Sequence, residues 1–236
     1  MKLHTMAKVL RELLDAPPGH ELSFEEKLGM LVDREWIDRD NRRLARRIKD
    51  AKLPVGASLE DVLCDPSRGI EKATVRSLAT CAWVRAKQNV IVVGATGVGK
   101  TFVGAALAQA ACRQGFRALC TRIPRLVQDL ALARADGTYR NELQRLARFD
   151  ALVLDDFLIG PLKDTERRDL LEVLEDRYDR SSTVVTSQLP TKSWHETLAD
   201  PTIADAICDR LVHNAHVVAL RGPSMRKKKG MGSETT

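Results

Sequence analysis

Residues 89–101 read NVIVVGATGVGKT. A short apolar run, Asn89 to Val93, leads into Gly94, Ala95, Thr96, Gly97, Val98, Gly99, Lys100 and Thr101. That spacing is G-x-x-x-x-G-K-[ST], and it lies between a strand-like run and a helix-like one, where a phosphate-cradling loop must lie. The glycines let the loop wrap so that successive N–H groups converge on phosphate oxygens, and the helix that follows points its positive end at the same anions. Lys100 is expected to reach the β- and γ-phosphates, and the Thr101 hydroxyl to hold Mg²⁺. A turn that only links a strand to a helix needs neither the lysine nor the threonine. ATP and Mg²⁺ are therefore the expected ligands.

Downstream, short β-branched runs alternate with helical stretches, which implies a parallel sheet joined by crossovers and covered on both faces. Strands are predicted at 89–93, 118–121, 152–155, 183–187 and 217–220, with the clearest helices at 102–114 and 164–178. Leu152-Val153-Leu154 ends in Asp155 and Asp156. After a phosphate loop, the first carboxylate is expected to position Mg²⁺ and its waters, and the second to orient or deprotonate an attacking water. A kinase, whose nucleophile is its acceptor, needs no such second acid, so Asp156 favours hydrolysis. His213 and His216 lack a third ligand and are set aside as a metal pair.

Upstream, residues 2–52 repeat leucines and isoleucines at three- and four-residue spacing, and Pro17, Pro18 and Gly19 interrupt that pattern. Ser23 and Glu26 form a capping-box signature opening the second helix. Its continuation carries Arg39, Arg42, Arg43, Arg46, Arg47 and Lys49, with 39, 43, 46 and 47 on one face. These six are the expected contacts to DNA phosphates; a surface for a protein partner is the alternative. Residues 53–70, rich in Pro and Gly, read as a connector, and a helix is expected over 71–86.

The composition is that of a folded domain with an appendage: 236 residues, 44% hydrophobic and 30% charged. A net charge of +6 with clustered Lys and Arg fits a polyanionic partner, whereas 4% aromatic residues give little support to binding by base stacking. Five cysteines without a CxxC pair suggest neither a disulfide framework nor a zinc site and fit a reducing cytoplasm. No run reaches the ~18 apolar residues of a membrane span.

The order of several non-catalytic stretches gives the likeness. ELSFEEKLGMLVDREW (21–36), NRRLARRIKDAKL (41–53), GATGVGKT, LVLDDF, LLEVLEDRY (170–178), TSQLP, WHETLADPTIADAICDRLVHNAH (194–216) and SMRKKK (224–229) together resemble the IstB-like helpers of insertion-sequence transposition. The resemblance implies an AAA+ ATPase of the group containing DnaA and the helicase loader DnaC. It implies assembly with ATP as a homo-oligomer, binding to double-stranded DNA with weak sequence preference, and a transposase partner. A DnaC-like loader and a nucleotide-switched DNA-binding module with negligible turnover are the alternatives.

On that resemblance the strand 183–187 lies between the strands carrying the phosphate loop and the acid pair. Its end then supplies a group to the γ-phosphate or the water, with Gln188 ahead of Ser187. Arg210, near the end of a helix before the last strand, takes the place of a finger reaching a neighbour's site; a cation favourably placed at a helix C-terminus is the alternative. The expected domains are 1–70, helical with its linker, 71–225, the ATPase core, and 226–236, a basic tail. No C-terminal lid is expected after Leu220. Relatives usually carry glycine after Asp-Asp-Phe, where this chain has Leu158.

Overall fold

The structure, a computed structural model, describes residues 3–15 and 22–225. The Pro17-Pro18-Gly19 break and the basic run Arg226 to Lys229 lie outside them. The chain forms two compact units that divide between Arg47 and Ile48.

The first unit holds α1 (His4–Leu14) and most of α2 (Phe24–Asp50). The capping box forms: the Ser23 amide donates to Glu26 Oε2 and the Glu26 amide to Ser23 Oγ. Buried Glu35 accepts the Met6 amide at 3.0 Å, one of the first-turn N–H groups that have no partner within α1. Arg39 Nε donates to the other Glu35 oxygen at 2.7 Å. The Met6 amide first, and Arg39 with it, pulls the Glu35 carboxyl below its ordinary range. Arg42 pairs with Asp38 at 2.7 Å. Two of the six cations expected to face DNA thus bind acids of their own helix, while Arg43 and Arg46 are exposed.

The second unit begins earlier than the expected core boundary at 71. The Ala51 carbonyl accepts the Cys120 amide, Asp65 and Ile70 form an antiparallel bridge around a tight turn, and Ala57, Leu59 and Ile70 are buried. The stretch 53–70 is therefore part of the packed unit. Two short helices, α3 (Lys72–Ala79) and α4 (Ala82–Arg85), replace the single helix expected over 71–86, because Cys81 at φ 53° breaks the run between them.

The remaining elements are β1 (Asn89–Gly94), α5 (Lys100–Arg113), β2 (Ala118–Arg122), α6 (Ile123–Ala135), α7 (Tyr139–Ala147), β3 (Ala151–Phe157), α8 (Asp164–Glu175), β4 (Ser182–Ser187), α9 (Trp194–Leu198), α10 (Pro201–Val212) and β5 (Ala215–Leu220). All five strands are parallel, in the order β2-β3-β4-β1-β5. β4 is buried along its whole length, as a strand covered on both faces must be.

Side chains alternate across the sheet and sort the helices. Ile91, Leu119, Leu152, Leu154 and Val185 join one core with Leu126 and Leu130 of α6, Leu170 and Val173 of α8, Trp194 of α9 and Ile207 of α10. On the other face lies α5, whose buried alanines at 105, 106, 108 and 111 let it approach closely. At Gly104 an added Cβ would stand 3.0 Å from Thr186 Cγ2 and 3.2 Å from Val153 Cγ1. No helix of the described residues is long and apolar enough to cross a membrane.

Arg177 is the one fully buried cation among the described residues, 1% exposed. It donates to the carbonyls of Leu146, Phe149 and Ser182 and to Thr183 Oγ1, joining the turn before β3 to the start of β4. Burial lowers its pKa to about 9, so it remains charged at neutral pH. Arg177→Met would leave these buried acceptors without donors, at a cost of about 2–4 kcal/mol. The expected result is a lower urea midpoint with an unchanged m-value.

Candidate active site

The loop after β1 is shaped by glycine at two positions: Gly97 at φ 85° and Gly99 at φ 105°, where a side chain would be strained. Val98, 1% exposed, pins the loop between them. α5 then starts at Lys100 and aims its free first-turn N–H groups at the loop. Lys100 Nζ donates to the Ala95 carbonyl at 2.9 Å, so the ammonium points into the ring of backbone.

β3 delivers the two acids. Its register with β4 shifts between Leu154 and Phe157, and Asp156 takes φ 59°, a left-handed conformation that Asp tolerates better than most residues. Asp155, 5% exposed, accepts the Thr101 hydroxyl at 3.0 and 3.1 Å and the Thr186 hydroxyl at 2.5 Å. The Asp156 amide donates to the same Thr186 oxygen at 3.2 Å, while its carboxylate faces Arg122. Leu158 also sits at φ 55°, which explains why glycine suits that position; its side chain is 4% exposed, and burial worth about 2 kcal/mol offsets about 1–2 kcal/mol of strain.

β4 ends beside the loop, between β1 and β3. Gln188 Oε1 accepts the Thr96 hydroxyl at 2.8 Å. Ser187 is turned inward, donating to the Phe157 carbonyl and accepting the Leu189 amide. Arg210 lies at the other end of the sheet: its carbonyl accepts Asn89 Nδ2, at the start of β1. β1 spans roughly 17 Å, so Arg210 cannot reach its own loop. Its guanidinium is held by Glu175 at 2.5 Å and the Ala206 carbonyl at 3.0 Å, near the Tyr178 ring. His216 bonds to Gln88 at 2.9 Å.

Four participants escape a reading of the sequence. Thr186 looks like one more residue of an apolar strand. Arg68, in the stretch taken as a connector, donates from Nη2 to the Val98 carbonyl at 2.8 Å and meets the Met225 sulfur with Nη1. The Met225 amide donates to the Gly97 carbonyl at 2.8 Å, so the chain after β5 crosses the loop. Arg122, the fourth such residue in space, carries its only sequence signal in standing directly after a predicted strand. Thr101 and Asp155 bring a hydroxyl and a carboxylate within 3.1 Å of each other, a set of hard oxygen donors that fits Mg²⁺ shared with phosphate and water.

A parallel sheet of this order, with a phosphate loop after β1, an acid pair closing β3 and a polar end to the strand between them, defines an ATP-binding protein of the AAA+ P-loop class. The sequence model described as IstB-like ATP binding protein matches residues 1–233. The chain is 45% identical over 229 residues to the insertion sequence ATP-binding protein y4pL of Sinorhizobium fredii, covering 97% of this chain and 94% of that one. It is 44% identical over 194 residues to the insertion sequence IS1162 ATP-binding protein of Pseudomonas fluorescens, covering 82% and 84%. The chain belongs to the IstB-like family of insertion-sequence ATP-binding proteins. Its fold is similar to that of DnaI, with a TM-score of 0.61 at 22% identity over 70% of this chain and 92% of that one. The AMPPCP-bound DnaA of Aquifex aeolicus gives 0.60 at 16% identity over 78% and 58%.

The Thr186 hydroxyl serves both acids at once. Thr186→Val keeps the shape and removes the oxygen, at a cost of about 1–3 kcal/mol. Its ATP affinity, measured by calorimetry, is expected to fall more in Mg²⁺ than in EDTA, because the loss acts through Asp155.

Proposed function

We propose that the protein is a Mg²⁺-dependent ATPase that assembles with further copies of itself on double-stranded DNA, with little sequence preference, and brings a transposase to that DNA. The observation that carries the hydrolytic part is the second acid: Asp156 stands one residue beyond the Thr101–Asp155 contact and is not consumed by it. Lys100 and the N–H groups of residues 94–101 bind the phosphates. Thr101 and Asp155 hold Mg²⁺, which neutralises charge on the phosphates. Asp156 orients the water and takes its proton, and Gln188, already beside Thr96, completes the polar wall; Ser187 supports that wall from behind.

Arg210 is too far from its own loop and acts on a neighbour's γ-phosphate, after leaving Glu175. This reading predicts complementation. Arg210→Ala and Lys100→Ala proteins, each inactive alone, recover phosphate release when mixed; a mixture as inactive as its parts removes the shared site. The same assay separates an enzyme from a nucleotide switch, since a switch releases no phosphate above background over hours.

The transposase as partner, rather than a replicative helicase, follows from relatives that are insertion-sequence proteins, whereas the likeness to helicase loaders is one of fold. None of the five cysteines is in a disulfide, in keeping with work in the cytoplasm. Of the basic stretch on α2, Arg43, Arg46, Arg47 and Lys49 are the DNA-facing set, with Arg39 and Arg42 held back by Glu35 and Asp38. Replacing Arg43, Arg46 and Arg47 with Ala is expected to flatten the plot of log affinity against log salt by roughly 2–3 units for any duplex. An unchanged slope with failure to recruit transposase assigns this face to the protein partner instead.

A further inference from the structure

Gly69 takes φ 71°, and a Cβ there would stand 2.1 Å from the Ala219 carbonyl oxygen, so the turn 65–70 lies directly on β5. The Arg221 amide donates to the Arg68 carbonyl at 2.8 Å and the Ser67 amide to Asp65 Oδ1 at 2.8 Å, which fixes the backbone of Arg68 from both sides. From that anchor the Arg68 side chain reaches the nucleotide loop from the β5 side of β1, whereas the acids lie beyond β4 on the other side. Nη2 donates to the Val98 carbonyl at 2.8 Å, while Nη1 meets the weakly accepting Met225 sulfur. Nε, closed off from solvent, has no partner among the described residues. Among these residues the Val98 carbonyl is thus the strong acceptor that holds this guanidinium.

The segment after β5 meets the loop a second time. The Met225 amide donates to the Gly97 carbonyl at 2.8 Å, and Ser224 lies so close that a Cβ at Gly97 would stand 2.2 Å from its Oγ. Two successive carbonyls of the loop, 97 and 98, are therefore held from outside. A trans peptide carries its C=O and the next N–H on opposite sides of a rigid plane, so a carbonyl held outward turns that N–H inward. The Val98 nitrogen does face inward, 3.5 Å from the Ala95 carbonyl oxygen that Lys100 also reaches. By the same rule the Gly99 N–H is turned away from Arg68.

We propose that Arg68 and the Met225 amide are positioning groups for nucleotide binding: by holding the Val98 and Gly97 carbonyls from outside, they aim the Gly99 and Val98 N–H groups at the phosphates that ATP and ADP share. In loops of this spacing the backbone N–H groups cradle the α- and β-phosphates. Gly97 and Gly99 give the loop its curvature, but without side chains they also leave its backbone free to turn. Arg68 and the segment 222–225 remove that freedom before the nucleotide arrives, so that binding has less ordering left to supply.

The test is calorimetric titration of the full chain with ATP and with ADP, in Mg²⁺, for wild type, Arg68→Met, Arg68→Lys, Met225→Pro and Met225→Leu. Arg68→Met keeps the apolar stem and removes the donor, and Met225→Pro removes an N–H without removing a charge. Each is expected to weaken ATP and ADP by the same factor, about tenfold, as for a loop that is competent about a tenth of the time. Arg68→Lys, which still carries a donor toward Val98, and Met225→Leu, which keeps the N–H, should lose far less. Misfolding acts differently, since it lowers the stoichiometry and leaves the affinity of the folded fraction as it was. Unchanged affinity in Arg68→Met, with or without lost stoichiometry, overturns the proposal. A loss in Arg68→Met that Met225→Pro does not share also overturns it, because the guanidinium then acts on the nucleotide by its charge. So does a loss confined to ATP, which places Arg68 at the γ-phosphate instead. Binding is read here and not turnover, so a failure of Asp156 as the water-activating group leaves these affinities as they are and shows only in phosphate release.

Discussion

The site depends on a single run of hydrogen bonds that joins α5 to two strands: Thr101 to Asp155, Thr186 to Asp155, and the Asp156 amide back to Thr186. Its members come from α5, β3 and β4, so the bonds exist only when β3 and β4 are in register and α5 is packed against them. The requirement is strict because Thr186 and Asp155 are buried, and a buried carboxylate without donors costs several kcal/mol. The close approach of α5 at Gly104 serves the same geometry, since it brings Thr101 down onto the sheet edge where Asp155 stands. A larger residue at 104 would lift the helix and with it the hydroxyl. The polar groups around the loop are placed by the core, not by the loop alone.

Much of this is legible in the sequence where a local pattern has one physical meaning. Apolar β-branched runs between turn residues can be strands buried on both faces, and the glycine spacing before Lys100 has little use other than to hold phosphate. The strand between the loop and the acids is placed by resemblance, and the sheet order agrees. Residues 53–70 are not legible in this way, because proline and glycine mark a linker and a segment wrapped against a sheet equally well. What distinguishes them is tertiary: the Ala51 carbonyl on the Cys120 amide and the Arg221 amide on the Arg68 carbonyl. The expected helix over 71–86 fails for a related reason, since nothing in Thr80-Cys81 announces a left-handed residue.

Charge is where sequence patterns mislead most. A row of arginines on one helix reads as a uniform basic face, yet acids four residues away quench part of it, and spacing alone does not say which arginine they choose. Glu35 is buried and chooses Arg39 because its other oxygen is occupied by α1. Arg210 shows the converse: Glu175, far from it in sequence, settles its resting position. In both cases the free cation is identified only after the carboxylates have been followed to their partners.

The buried guanidinium of Arg177 also constrains the path by which the sheet forms. Removing its charge from water before the Leu146, Phe149 and Ser182 carbonyls are in place would incur the desolvation cost with no return, so this side chain docks late, after β3 and β4 have paired. Contacts made late are absent from the folding transition state and act mainly on the rate of unfolding. Arg177 is thus a brake on opening: the junction of β3 and β4, on which the whole row from Thr101 to Asp156 depends, is guarded kinetically by a residue on the far side of the sheet from the nucleotide loop.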